Sequence, residues 1–462
     1  MEEQQVSMQE NKMGVMPISK LLISMSVPMM LSMLVQALYN IVDSIFVAKI
    51  GESALTAVSI AFPMQNLMIA VGSGTGVGMN AVVSKALGEK RQDYANKAAN
   101  NGIWLAGASF AGFSLLVLIF GKMFISSQTV NASDPQIAVY GLQYIRIIGM
   151  ISFGLFFQMT FERLLQSTGK TIYSMITQMI GAVINIILDP ILIFGLFGFP
   201  RLEVAGAAIA TVTGQVIAAC IGLFLNRKVN TELHISPLRY RPSWKIVKHI
   251  YSVGIPSIFM MSISSVMNFG MNKLLMGFSS TATAVFGAYY KLQSFIFMPI
   301  FGMNNGMIPI VAYNFGARKP GRIVKTVQLS VTYATGIMVI GCILFHIIPG
   351  TLLGMFNASD TMLEIGIPAL KIISYSFLLA GFGIVSSSFF QAMGHGMLSL
   401  IVSVLRQLVI LLPAAFVLAK AGGLKAVWWS FPLAEVCAAV FSILFVRYVY
   451  QKEIRPLSTE QK

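Results

Sequence analysis

Four oxygen-bearing side chains stand out because they lie inside long apolar runs. Asp43 lies in the run Tyr39-Asn40-Ile41-Val42-Asp43-Ser44. Asn185 and Asp189 lie four residues apart in another run, so a helix places both on one face. Thr211 would add a hydroxyl oxygen from the next run. A carboxylate at the centre of a bilayer costs at least about 2.5–3.5 kcal/mol, so such acids usually have a function.

These residue types favour binding of a hard cation or a proton. Carboxylate, amide and hydroxyl oxygens suit a cation such as Na⁺. Two neighbouring carboxylates in a dry site can instead share a proton, because both do not ionise at close range. The alternative is that both acids lie near the outer membrane face and only cap or pair. Pro190 disfavours helical geometry at Asp189, which could free a nearby carbonyl.

The composition identifies the elements that must position these residues. Of 462 residues, 56% are hydrophobic and 11% charged, and the mean hydropathy is +0.76. A soluble globule carries about 25% charged residues, so that class is excluded. Runs of about 20 apolar residues occur about twelve times and lack the alternation of barrel strands. The three cysteines lie far apart and predict neither a disulfide framework nor a metal site. We predict an all-α membrane protein with twelve transmembrane helices.

The net charge of +15 follows from membrane topology. Most Lys and Arg residues fall in the tails, the central linker and the loops that share one side of the membrane. Cytoplasmic loops carry an excess of basic residues. We therefore expect cytoplasmic N- and C-termini, a multi-pass protein of the inner (plasma) membrane, and no nucleic-acid site.

The sequence is an internal duplication. A shift of 228 residues aligns Pro28 with Pro256, and it aligns a series of further pairs in the same order. These are Asn40 with Asn268, Gln65 with Gln293, Gly74 with Gly302, Gly78 with Gly306 and Gly88 with Gly316. Six spans per repeat is an even number, so the two six-helix lobes are related by a pseudo-two-fold axis along the membrane normal. The predicted divisions are an N-terminal tail (1–18), an N-lobe (19–225), a cytoplasmic linker (226–251), a C-lobe (252–450) and a C-terminal tail (451–462).

Two local motifs have structural explanations that we prefer. The repeated tetrapeptide Asn131-Ala132-Ser133-Asp134 and Asn357-Ala358-Ser359-Asp360 predicts helix N-caps rather than glycosylation at its Asn-X-Ser sequons. The run from Gly72 to Gly78 lacks the Lys-Ser/Thr of a phosphate loop and predicts close helix packing.

The second repeat has different charges. Met271 stands at the position of Asp43, and about Ala414 at that of Asp189, while Lys273, Lys291 and Arg406 lie within spans. Lys291 and Arg406 are expected to face a central cavity, with an interhelical pair as the alternative. Glu162-Arg163 predicts a structural ion pair, and Glu435 is a secondary candidate.

Four blocks carry a resemblance to a known family. They are the Asp43 run, Gln166-Ser167-Thr168-Gly169, the block from Asn185 to Gly195 and Ala312-Tyr313-Asn314-Phe315-Gly316-Ala317. With these blocks the chain resembles the MATE (multidrug and toxic compound extrusion) family from about Pro28 to Tyr450. The resemblance implies a bacterial-type exporter that uses a Na⁺ or H⁺ gradient to expel amphipathic, often cationic drugs by alternating access. It also implies ion coupling, or Na⁺ ligation, at Asp43, Asn185, Asp189 and Thr211. An acid that some branches carry in the seventh span is missing here.

We expect the substrate cavity between the lobes. Its candidate residues are Tyr39, Gln65, Tyr290, Lys291, Gln293 and Arg406. Besides the coupling ion no cofactor is expected, and the partners would be small organic cations or amphipathic drugs and membrane lipid, with the protein as a monomer. The main alternative is a flippase for lipid-linked precursors, which basic cavity residues would suit. No enzyme motif occurs, and the four histidines are scattered.

Overall fold

The computed structural model describes residues 10–129, 134–356 and 358–459, and these are helical apart from short connections. A short helix, α1 (Lys12–Val15), precedes the first repeat. The first repeat then comprises α2 (Ile18–Ala48), α3 (Glu52–Gly88), α4 (Gln92–Gln128), α5 (Gln136–Met150), α6 (Phe153–Ser167), α7 (Thr171–Phe194) and α8 (Glu203–Lys228). The second repeat comprises α9 (Trp244–Met276), α10 (Ser280–Gly316), α11 (Pro320–Ile347), α12 (Pro349–Gly354), α13 (Asp360–Ser374), α14 (Phe377–Ala392), α15 (Gly396–Val427) and α16 (Ser430–Ser458).

The predicted number of spans agrees with these helices. Within the part of the chain that the structure describes, ten helices are long and apolar enough to cross a membrane. Two further pairs are bent at a short break, α5 with α6 by 46° and α13 with α14 by 51°. Each bent pair counts as one span, which gives twelve, six in each repeat. The predicted class, an all-α membrane protein with two six-helix lobes, is confirmed.

Glycines bring the two lobes into close contact. A Cβ atom on Gly78 of α3 would lie 2.1 Å from the carbonyl oxygen of Ile250 on α9. A Cβ atom on Gly306, its repeat partner on α10, would lie 2.9 Å from the carbonyl oxygen of Met25 on α2. Each repeat therefore uses its second span to pack against the first span of the other repeat. The glycine run packs helices, as its sequence predicts.

The segment between α8 and α9 (229–243) is held on α4 of the first lobe. Asn100 donates a hydrogen bond to the carbonyl of His234 (2.8 Å) and accepts one from the backbone N–H of Ser236 (2.8 Å). Asn101 accepts from the backbone N–H of Ser243 (2.7 Å). Side-chain amides thus satisfy backbone groups that have no helical partner.

The capping interpretation holds where the structure describes the motif. The Ser359 hydroxyl accepts a hydrogen bond from the backbone N–H of Met362 (3.3 Å), at the start of α13. A carboxylate oxygen of Asp134 accepts from the backbone N–H of Gln136 (2.9 Å). Asn131 and Asn357 lie outside the described residues.

Candidate functional site

Helices α2 and α7 pack side by side and carry the acids. Gln178 on α7 donates a hydrogen bond to the side-chain oxygen of Gln36 on α2 (2.9 Å). Asp43 lies seven residues beyond Gln36, about 10 Å along a helix, and Asp189 lies eleven residues beyond Gln178. This interhelical bond therefore holds α2 and α7 together at a point that precedes the acids in both helices.

The structure brings Asp43 and Asp189 together. Their side chains lie close enough to interact directly. Asp189 is 0% exposed, and Asp43 is partly buried. Each acid also has one carboxylate oxygen, Oδ1, that is buried and lacks a hydrogen-bond partner among the described residues. Two carboxylates in such contact need a proton or a cation between them, because two bare charges repel strongly in a medium of low dielectric constant.

Asn185 and Thr211 complete the cluster, as the sequence predicts. The hydrogen bonds are satisfied when the Asn185 amide nitrogen donates to Asp189 Oδ2 (3.1 Å). Its oxygen then accepts from the Thr211 hydroxyl (3.1 Å) and from the Thr211 backbone N–H (3.0 Å). Asn185 and Thr211 are 2% and 4% exposed. In this orientation the nitrogen, and not the oxygen, of Asn185 faces the acid pair.

The expectation that Pro190 disturbs the helix at Asp189 is wrong. Helix α7 continues through Pro190 as far as Phe194. Packing of α7 against α2, α6 and α8 overrides the local preference, because Asn185 and Asp189 both need the helical four-residue spacing to meet their partners. Pro190 has no N–H, so the carbonyl of Ile186 has no helical donor at that position.

Aromatic residues enclose the acid pair. Tyr39 lies one turn before Asp43 and is close enough to both acids to interact with them electrostatically. Tyr144 of α5 lies near the same acids, is 2% exposed, and directs its hydroxyl at the side-chain oxygen of Gln65 (3.4 Å). Tyr39 and Gln65 were cavity candidates from the sequence. Tyr144 was missed, because an isolated tyrosine in an apolar helix gives no signal before the fold places it.

Arg406 and Glu435 form an ion pair inside the second lobe. A guanidinium nitrogen of Arg406 lies 3.6 Å from Glu435 Oε1, and Glu435 is buried. Arg406 lies in a stretch of α15, Leu405–Leu411, wound as a π-helix. Tyr289 of α10 is buried beside both charges. This arrangement matches the interhelical pair that the sequence left open for Arg406.

The other basic and polar candidates lie apart from the acid pair. The ammonium of Lys291 lies 5.9 Å from the centre of the Phe356 ring. Tyr290 is exposed, and Gln293 is partly buried. The structure brings none of these three into contact with Asp43 or Asp189 through a described hydrogen bond.

Glu162 and Arg163 each have separate hydrogen-bond partners. Glu162 accepts a hydrogen bond from Gln158 (2.9 Å) within α6. Arg163 donates to Gln166 (2.9 Å) and to Asn305 of α10 (2.9 Å). Arg163 thereby links the two lobes, a role that the sequence did not indicate.

Comparison with known proteins identifies the family. The MatE family model matches residues 28–191 and, a second time, residues 256–417. The chain belongs to the MatE family. The double match covers most of the chain and coincides with the internal duplication. The expected resemblance is therefore confirmed.

Named relatives and solved structures agree with this assignment. The chain is 29% identical to the multidrug export protein MepA of Staphylococcus haemolyticus over 93% of each chain. It is 27% identical to MepA of Staphylococcus saprophyticus over 91% of this chain and 92% of the relative. A multidrug resistance MATE family transporter solved in an outward-facing conformation superposes with a TM-score of 0.89 at 25% identity, covering 98% of this chain and 99% of the other. A MOP superfamily transporter from Pyrococcus furiosus superposes with a TM-score of 0.86 at 25% identity, covering 97% of this chain and 99% of the other. That transporter is described as having a binding pocket of reverse polarity, which suggests a different function for it.

The chain is therefore a membrane protein of the MatE family, and the relatives and solved structures named above are described as export proteins or transporters rather than enzymes. The flippase alternative is not favoured, since Arg406 is paired with Glu435 and Lys291 lies over an aromatic ring.

Proposed function

We propose that this MatE protein is a cation-coupled antiporter that exports amphipathic, often cationic drugs by alternating access. The observation that carries this proposal is the contact between Asp43 and Asp189, each with a buried carboxylate oxygen left without a partner. Such a pair binds a small cation or proton strongly and releases it when its surroundings change. The named relatives, which are multidrug export proteins, support drugs as the substrate.

The coupling step follows from charge neutralisation. With the pair exposed to the outside, a proton or Na⁺ binds between Asp43 and Asp189 and reduces their negative charge. The pair with one cation bound tolerates a dry, closed site better than the doubly charged pair does. Ion binding therefore favours release of drug and return to the inward-facing state. The size of this shift is limited by the difference in ion affinity between the two states.

The coupling ion is proposed to be H⁺ or Na⁺, and the Asn185 amide would serve the two in different orientations. For H⁺, the amide nitrogen donates to Asp189 and orients the carboxylate that gains and loses a proton. A Na⁺ ion held by Asp43, Asn185, Asp189 and Thr211 would need the amide to turn and present its oxygen. Drug binding is proposed in the cavity between the lobes, near Tyr39 and Gln65. The candidates Tyr290, Lys291 and Gln293 would contact larger substrates from the second lobe.

The membrane orientation is also a proposal. The N-terminal residues, the segment 229–243 and the C-terminal helix all lie at one end of the bundle, where the basic loops lie as well. The positive-inside rule makes that end cytoplasmic. We further propose a plasma membrane location, and a monomeric unit because Asp43, Asn185, Asp189 and Thr211 all come from one chain.

Efflux from vesicles tests the coupling. Purified protein in vesicles loaded with ethidium would be given a pH gradient or a Na⁺ gradient in separate runs. We expect efflux in the wild type to follow one of the two gradients, which identifies the coupling ion, and to stop in Asp189→Asn. Asp93→Asn, which changes an exposed acid on α4, is the matched control and should behave as wild type. Wild-type efflux that follows neither gradient would contradict cation coupling, and gradient-driven efflux that persists in Asp189→Asn would overturn the acid-pair mechanism.

A further inference from the structure

The residues that precede α2 cross from the first lobe to the second. We define this N-terminal strap as residues 10–16. The carbonyl of Met13 accepts hydrogen bonds from Asn314 (2.9 Å) and from Arg322 (2.9 Å), both in the second lobe. Arg322 also donates to the carbonyl of Met16 (2.8 Å). Met13 itself is 0% exposed, so the strap is packed as well as hydrogen-bonded.

Charged groups strengthen the attachment to the second lobe. Lys319, at the start of α11, donates to the carbonyl of Gly14 (3.0 Å) and pairs with Glu10. Hydrogen bonding to Lys319 lowers the pKa of Glu10 below its ordinary value of 4.5, so Glu10 is ionised at neutral pH. Hydrogen bonds with a charged partner are stronger than neutral ones.

The other end of the strap is attached to the first lobe and its linker. The Asn11 amide donates to the carbonyl of Thr168 (3.1 Å), directly after α6, and to Glu232 (2.6 Å) in the segment 229–243. Its oxygen accepts from the backbone N–H of Met13 (2.8 Å) and caps α1. The strap therefore has partners on both sides of the boundary between the lobes.

In each repeat, the segment that leads into the first span is bound by the other repeat. The strap leads into α2 of the first lobe and is held by α10 and α11 of the second. The segment 229–243 leads into α9 of the second lobe and is held by α4 of the first, through Asn100 and Asn101. Helix α4 corresponds to α11 in the duplication. Both leading segments thus cross the lobe boundary at the same end of the bundle.

We propose that the N-terminal strap is a latch that holds the lobes together at this end and must release before they part there. The proposal rests on the alternating-access movement proposed above, but not on the identity of the coupling ion. Separation of the lobes at this end would pull Asn314, Lys319 and Arg322 away from the strap. The strap then sets how often the protein opens on this face.

Distances between spin labels test the latch without a transport assay. Cys220, Cys342 and Cys437 would first be replaced by Ser. One label pair, at Asp93→Cys and Gly321→Cys, spans the lobes at the strap end, and both positions are exposed. A second pair, at Glu52→Cys and Ser280→Cys, spans the lobes at the opposite end, again at exposed positions.

Arg322→Ala removes two strap hydrogen bonds, and Lys325→Ala is the matched control, an exposed cation one turn further along α11. In Arg322→Ala we expect the ratio of open to closed populations at the strap end to rise roughly tenfold. This is the effect of losing about one charged hydrogen bond. The distance at the opposite end should shorten. Lys325→Ala should match the parent protein.

Two results would overturn the latch. One is an unchanged distance distribution at the strap end in Arg322→Ala. The other is broadening of both label pairs together, which would indicate general loosening. If Arg322→Ala does not fold, Lys319→Ala serves as the second variant, because it removes the Gly14 and Glu10 contacts while leaving Arg322 in place. A protein without lobe movement would instead give single distances in every variant, including the parent.

Discussion

Gly88 and Gly316 pack against each other's helices in a reciprocal way. A Cβ atom on Gly88 would lie 2.0 Å from the carbonyl oxygen of Tyr313, and one on Gly316 would lie 2.1 Å from the carbonyl oxygen of Lys85. The pairs are related by the 228-residue shift of the duplication. The ends of α3 and α10 therefore cross at backbone contact, beside the N-terminal strap.

Gly316→Ala should weaken this crossing. The added methyl group has no space beside the Lys85 carbonyl, so the helices must separate, and overpacking of this kind costs about 1–3 kcal/mol of unfolding free energy. Thermal unfolding in detergent would measure the loss. Gly287→Ala on the same helix is the control, since nothing lies within 4 Å of its Cβ position, and it should be neutral or stabilising. Equal effects of the two substitutions would contradict the close crossing.

The acid pair should behave as one functional unit. We expect Asp43→Asn, Asp189→Asn and the double variant to lose gradient-driven efflux to the same residual level, because either single change removes the shared ion site. Initial efflux rates in vesicles would be compared at equal protein content. Losses that multiply in the double variant would indicate two independent sites.

The hydroxyl of Thr211 should tune ion affinity. Thr211→Val removes the hydroxyl that donates to the Asn185 oxygen, but the backbone N–H of residue 211 still holds the amide. One lost hydrogen bond of about 1 kcal/mol predicts an apparent affinity for the coupling ion that is weaker by roughly fivefold. Thr211→Ser keeps the hydroxyl and should keep the affinity. The half-saturating ion concentration for efflux measures both variants, and identical values for Val and Ser would rule out a role for the hydroxyl.

Replacing only one partner of the Arg406–Glu435 ion pair should lower the free energy of unfolding. Arg406→Gln leaves a buried carboxylate without its counter-ion, for which we expect a loss of about 3–5 kcal/mol. Arg406→Gln combined with Glu435→Gln should recover most of that loss. Arg201→Gln, which breaks an exposed pair with Glu203, should cost less than about 1 kcal/mol. Thermal unfolding compares them, and a double variant no better than Arg406→Gln would contradict pairing.

The pH dependence of stability should include a contribution from Glu232. Burial raises the pKa of this carboxyl above its ordinary value of 4.5. The folded protein therefore holds this proton more tightly than the unfolded chain does, and stability falls as pH rises from 4.5 through the raised value. Glu232→Gln removes this titration and can still accept the Asn11 hydrogen bond. The difference in melting temperature between wild type and Glu232→Gln should change across that window and level off above it. A constant difference would show that Glu232 keeps its ordinary pKa.

The sequence alone determined the fold and much of the candidate site. Apolar runs of membrane-spanning length leave helices as the way to satisfy the backbone in lipid, and the repeated Pro, Asn and Gly positions reveal the duplication. Asp43 and Asp189 were detectable for the same reason, because a charge in such a run is costly and therefore conspicuous.

Only the tertiary structure decided which of these residues meet. Asp43 and Asp189 are 146 positions apart in the chain, and no periodicity relates them. Their contact depends on how α2 packs against α7. The same holds for Tyr144, for the link from Arg163 to Asn305 and for the strap, whose partners lie about 300 positions away. The continuity of α7 through Pro190 was likewise decided by packing, which outweighs a local backbone preference when a whole helix is held by its neighbours.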